Sequence, residues 1–149
     1  SLSVLRAANA IVIPAPPNNI DFGSTAHFLK MMGATLQQLA EMGGARDYSF
    51  VKILATKMND TKSAHGAIKR MMEAVFPHDM MQSVLMDSAE IDNAAANLST
   101  VYELTGPATR TETHKRCRAY LDGVNREIEV LIRKTWPSHH AGLRKEGLL

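Results

Sequence analysis

Only one cysteine, Cys117, occurs in the 149 residues, so a disulfide within the chain and a cysteine-rich zinc site are both excluded. No apolar run approaches the roughly 18 residues of a membrane span, and the first residues carry neither the charged start nor the apolar block of a signal peptide. These features predict a cytoplasmic chain with no membrane attachment. Glycine clusters that could cradle a phosphate are also missing: there is no G-x-x-x-x-G-K-[ST] and no G-x-G-x-x-G. By itself the chain is therefore not expected to hold a triphosphate tightly. The histidines His27, His65, His78 and His114 fall in separate elements, and His139-His140 are adjacent in the tail. None has metal-ligand spacing, and all read as surface side chains.

What is present is ordinary globular composition, 45% hydrophobic and 21% charged, enough for one domain with a core. Residues 9 to 25 organise it. Ala10 to Ile13 is a short apolar, β-branched run that suits a strand buried on both faces. Pro14, Pro16 and Pro17 each lack an amide donor and forbid helix and ladder alike, so they read with Asn18 and Asn19 as an exit loop. Residues 1 to 9 read as the tail of a helix feeding that strand, which implies that chain precedes them.

Further along, Ser24 or Asp21 can cap a helix whose Phe28, Leu29, Met32, Leu36, Leu39 and Ala40 share one stripe, with Gly43-Gly44 ending it. A second strand is expected over 50–55, a polar turn over 56–63, and a helix over 63–75 closed by Pro77. A third strand is expected within 80–86, centred on 83–86. Asp87 or Ser88 then caps a helix over 89–98, with Glu90 at capping-box spacing from Asp87. After Gly106-Pro107, a long helix over 111–135 has Cys117, Tyr120, Leu121, Val124, Ile128, Leu131 and Ile132 on its apolar face. That face predicts packing on the sheet and makes Cys117 a core thiol. Trp136-Pro137 ends this helix, leaving 138–149 as a loosely held tail after a domain of 1–137. The nine methionines, including the pairs 31-32, 71-72 and 80-81, read as core packing. Alternating strands and helices predict a small α/β fold of about three parallel strands flanked by helices.

Charge is unevenly placed. From Arg110 onward nine Lys/Arg face five Asp/Glu, against eight and ten in the preceding residues. On the last helix Asp122 with Arg126 and Glu129 with Arg133 have i,i+4 pairing distance, which leaves Lys115, Arg116 and Arg118 as unpaired cations. Such a cluster suits weak contacts to DNA phosphates without sequence reading, or simply a solvated face.

The run Ala7-Ala8-Asn9-Ala10-Ile11-Val12-Ile13-Pro14-Ala15-Pro16-Pro17 resembles the segment after the Walker B strand in ParA-type partition ATPases, which read A-A-D-x-V-x-I-P-x-x-P there. The continuation through Thr25, and Ile128 to His139 near the end, resemble more narrowly the RepA partition proteins of repABC-type plasmids. The resemblance covers essentially the whole chain, through several medium-strength matches in the right order. It implies the C-terminal half of a partial P-loop NTPase fold of deviant Walker type, with the phosphate-binding half, the Walker lysines and the Walker B aspartate upstream of Ser1.

The resemblance further implies a parent that binds ATP and Mg, forms a homodimer, binds non-specific DNA, and works with a ParB/RepB-like centromere-binding protein on the bacterial nucleoid. The fragment alone would hold no cofactor and carry no catalytic residue or metal. Two loops would border the adenine: Thr56, Lys57 and Asn59 in the first, Met86 and Ser88 in the second. Thr56 matches the family threonine, Asn59 stands where an aspartate is frequent, and Met86 replaces a common proline. Read from residues alone, these loops are a turn and a helix cap. The alternative is a non-catalytic α/β interaction module that uses its long C-terminal helix to hold a partner.

Overall fold

The computed structural model describes residues 2–43, 48–136, 141–142 and 144–147. The chain divides into two compact units, Ser1–Ser88 and Ala89–Leu149.

The first unit is built on two parallel strands, β1 (Ile11–Ala15) and β2 (Val51–Ala55), paired in register from Ile11 against Val51 to Ala15 against Ala55. A short helix α1 (Leu2–Ala7) leads into β1, as the helical tail read from the sequence requires. It is tied at its end by the Tyr48 hydroxyl, which donates to the Leu5 carbonyl at 2.7 Å.

Pro14 lies inside β1, not beyond it. The reason is geometric. The Ile11 amide donates to the Phe50 carbonyl and the Ala15 carbonyl accepts from Thr56, so the odd-numbered residues face β2. Pro14 therefore turns its missing donor to the opposite edge, where it removes no ladder bond. Nor is the run Ala10 to Ile13 fully buried on both faces: Ile13 is buried, whereas Ala10 and Val12 on the other face are half-buried.

Helix α2 (Asn19–Glu41) starts earlier than Ser24 or Asp21 would set it, because the Asn18 carbonyl already accepts from the Phe22 amide. Its stripe buries Thr25, Met32 and Leu39, while Ala40 points outward. Gly43 ends it at φ +76°, a left-handed conformation that glycine adopts without a Cβ penalty. Helix α3 (Ser63–Val75) has the bounds expected from its pattern, and the Phe76 amide closes it on the Met72 carbonyl. Ile13, Ala15, Ile53 and Met72 form the core, packed by residues of α2 and α3. Phe22 and Phe76 meet there with ring centroids 6.3 Å apart. The methionine pairs split rather than bury together: Met32, Met72 and Met81 are inside, Met31 and Met71 outside. Adjacent helical side chains lie about 100° apart, so one apolar stripe can take only one of each helical pair.

The expected third strand does not form as a regular element. The Met81 amide donates to the Ile53 carbonyl, and the next bond to β2 comes from the Leu85 amide to the Ala55 carbonyl. Two residues of advance along β2 are matched by four along 81–85, so Gln82 to Val84 leave the ladder and only isolated bridges survive, at Met80 and Met86. The described sheet thus has two strands rather than about three.

The second unit holds α3's successors: α4 (Ala89–Ala96), a 3-10 turn (Gly106–Arg110) and α5 (Glu112–Thr135). Helix α4 stops short of residue 98 in a Schellman arrangement, with the Leu98 amide on the Ala95 carbonyl and the Ser99 amide on the Ala94 carbonyl. Leu98 occupies the left-handed position usually given to glycine, at φ +53°. Helix α5 is capped by the Thr111 hydroxyl, which accepts from the His114 amide at 3.2 Å. Cys117 is buried with Ala94 and Val101, as the apolar stripe predicts, but Ile132 at the far end of that stripe is exposed. His114 is not a surface histidine: it is 2% exposed, and its Nε2 lies 3.1 Å from the Val101 carbonyl. Of the tail, 137–140, 143, 148 and 149 lie outside the described residues, His139 and His140 among them. Elsewhere in it the Gly142 carbonyl accepts from the Glu146 amide in a helical turn.

Candidate functional site

The two loops that the resemblance assigns to the adenine come together at the carboxyl ends of the parallel strands. The Met58 amide donates to the Leu85 carbonyl at 3.1 Å and the Met58 carbonyl accepts from the Asp87 amide at 2.7 Å. Residues 56–59 and 85–88 are therefore one paired surface. It lies where open parallel sheets place their ligands.

The sequence makes the first loop rigid. Thr56 extends β2 by donating its amide to the Ala15 carbonyl. Lys57 then turns the chain at φ +51°, a strained position for a residue with a Cβ. Asn59 closes an Asx turn: its Oδ1 accepts from the Thr61 amide at 3.0 Å and from the Thr61 hydroxyl at 2.6 Å. A carboxylate oxygen can serve this turn equally, which accounts for asparagine standing where aspartate is frequent. The Asn59 amide donates to His65 Nδ1 at 3.2 Å, which anchors the loop to the first turn of α3. With the amides of Thr56, Met58 and Asn59 engaged, the donors this loop can turn to a ligand include the Thr56 hydroxyl, the Lys57 amide and ammonium, and the Asn59 side-chain NH₂. Met58 is buried; Thr56, Asn59, Met86 and Ser88 are half-buried, and Lys57 is exposed. Together they make one partly buried surface of polar groups around Met58 and Met86. They offer no cluster of cations for phosphate, and among the described residues no group of three or more His, Cys, Asp or Glu could hold a metal ion.

The basic residues of α5 lie in the other unit, and the structure corrects how free they are. Lys115 is not unpaired, since its Nζ lies 2.6 Å from Glu112 Oε1. That contact lowers the Glu112 carboxyl below its ordinary range, the lysine hydrogen bond acting first and its charge second. Arg118 is also held, its guanidinium carbon 5.0 Å from the centroid of the Tyr102 ring. Arg116 is exposed and has no ion-pair partner among the described residues. Glu129 and Arg133 pair as their spacing predicts, whereas Asp122 and Arg126 do not. Asp122 instead accepts from the Tyr102 hydroxyl at 2.7 Å, and Asn125 Nδ2 donates to the same hydroxyl at 3.2 Å. Partial burial first, and the Asp122 hydrogen bond next, raise the Tyr102 phenol above its ordinary pKa.

Tyr102 escaped the sequence reading because it precedes the helix whose face it joins. The available signal was Thr100-x-x-Glu103, spaced like a capping box. Glu103 Oε2 accepts from the Thr100 amide at 2.7 Å, and the Thr100 carbonyl accepts from the Glu103 amide at 3.0 Å, closing a turn that carries Val101 inward and Tyr102 outward.

No protein-family description matches the chain. Over 136 residues it is 24% identical to a Sinorhizobium fredii protein described as replication protein A, a match covering 91% of this chain and 33% of that protein. A Rhizobium rhizogenes protein of the same description is 23% identical over 136 residues, covering 91% of this chain and 34% of its own length. The chain thus spans about a third of the length of the relatives it matches. A solved structure of a partition protein, 24% identical, superposes with a TM-score of 0.53 over 83% of this chain and 31% of that one, a likeness that shows the fold. No helix among the described residues is long and apolar enough to cross a membrane. The resemblance to RepA-type partition proteins, carried in the sequence by the proline-rich run and the end of α5, is borne out by relatives described as replication protein A and by the fold of a partition protein.

Proposed function

We propose that these 149 residues are the C-terminal part of a ParA-type partition ATPase, in which the paired loops 56–59 and 85–88 border the adenine of ATP and the basic residues of α5 face DNA. The observation that carries this reading is the hydrogen-bonded union of two sequence-distant loops at the carboxyl ends of parallel strands. In the complete protein the phosphate-binding half, with its Walker residues and Mg, belongs to chain outside residues 1–149. ATP-dependent dimerisation, non-specific DNA binding, stimulation by a ParB/RepB-like centromere-binding protein and a place on the bacterial nucleoid follow from the same reading. Residues 1–149 alone are inactive in it.

The role of this chain's residues is to bind and orient. Asn59 fixes the loop through its turn and leaves its NH₂ to the base, Lys57 offers its amide, and Met86 supplies a half-buried apolar wall. The reading is tested by calorimetry on the complete gene product with ATP and with inorganic triphosphate. The double variant Thr56→Ala/Asn59→Ala is expected to bind ATP about tenfold more weakly, about 1.4 kcal/mol, with triphosphate affinity unchanged. Equal losses for both ligands, or no loss for either, contradict the assignment of these loops to the base.

A further inference from the structure

Arg118 and Arg126 flank Asp122 at i,i+4 spacing on opposite sides, so either guanidinium could pair with that carboxylate. Neither forms an ion pair with it. Asp122 is taken by the Tyr102 hydroxyl at 2.7 Å, and Asn125 holds that hydroxyl from one turn further along α5. The ring so fixed lies under Arg118, with 5.0 Å between guanidinium carbon and ring centroid. A guanidinium held over a ring is attracted by the ring's negative face, and its N–H groups can still meet a phosphate.

Resting on the reading of α5 as the DNA side, we propose that Tyr102 is the positioning residue of a phosphate-binding face that comprises Arg118 and Arg126. Tyr102 acts twice. Its ring holds Arg118 in an ordered pose, which lowers the conformational entropy lost when a phosphate is bound. Its hydroxyl takes one oxygen of Asp122 and competes with a close ion pair between that carboxylate and either arginine. Lys115, already paired with exposed Glu112, contributes less. The ligand, taken from that reading, is the sugar–phosphate backbone of duplex DNA, which charged forks on a helix face meet without reading sequence.

The test is binding of a fluorescent non-specific duplex to the complete gene product with ATP and Mg, followed across salt concentrations, with thermal unfolding as the folding control. Tyr102→Phe keeps the ring but releases Asp122 to pair with an arginine. It is expected to weaken binding and lower the salt slope by about one per protomer. Tyr102→Phe/Asp122→Asn, which removes the competing charge as well, should restore the wild-type slope. Arg118→Ala/Arg126→Ala should lower the slope by about two, and adding Tyr102→Phe should change nothing more. If the arginine variant shows the loss while Tyr102→Phe keeps the wild-type slope, or if Asp122→Asn fails to rescue, the positioning role is overturned and the DNA reading stands. If the arginine variant itself binds as wild type, both fall together.

Discussion

Leu98 is the residue whose conformation is most at odds with its side chain. It sits at φ +53° with 98% of its surface exposed, so no contact offsets the crowding of its Cβ in the left-handed region. The two closing bonds of α4 run through main-chain groups and need only the backbone pose. Leu98→Gly is therefore expected to stabilise the chain by about 1 kcal/mol, the left-handed cost recovered less the extra freedom of glycine when unfolded. Urea unfolding checks it, and a lower midpoint would show that Leu98 is held by something other than its backbone. Nothing in the sequence announced this, because a leucine after an alanine-rich run reads as more helix. His114 was hidden for a related reason. Its type suggests a surface, but its place in the first turn of α5 aims it at Val101, where the carbonyl satisfies its ring nitrogen.

Among the elements, those set by period and punctuation were legible. Helix α3 and helix α5 follow their apolar spacing and end at Phe76 and Trp136, each just before a proline. The strand after α3 was not legible, since Ser83-Val84-Leu85-Met86 looks like a strand from composition while the offset between Met81 and Leu85 is a matter of partner geometry. Pro14 shows the same limit, because only the parity of the ladder tells which edge its nitrogen faces. The Thr100 to Glu103 turn can be tested through pH. The Thr100 amide, then the Thr100 side chain, hold the Glu103 carboxyl below its ordinary 4.5. A carboxyl lowered on folding stabilises the fold above its unfolded pKa and loses that contribution as pH falls through its folded value. Wild type should therefore exceed Glu103→Gln in stability above about pH 4.5 and converge with it at lower pH. Denaturant midpoints measured across that range check this; a gap that persists at low pH would mean the turn does not depend on the charged carboxylate.

For the whole molecule, the candidate site was half legible. The sequence resemblance named Thr56, Lys57, Asn59, Met86 and Ser88, and Met58 bonds their two loops together in the first unit. Charge spacing on α5 picked out Lys115, Arg116 and Arg118 but not what holds two of them, since Glu112 at i−3 and Tyr102 outside the helix decide how the charges of Lys115 and Arg118 are used. In the proposed function the chain supplies a wall for the base, while its sequence holds no glycine loop for phosphates, which supply most of the affinity in P-loop sites. A base-side surface without its phosphate cradle is tested by calorimetric titration of ATP with Mg into residues 1–149. Binding is expected to be no tighter than about millimolar, about −4 kcal/mol. Magnesium-dependent binding at micromolar ATP by these residues alone would contradict it.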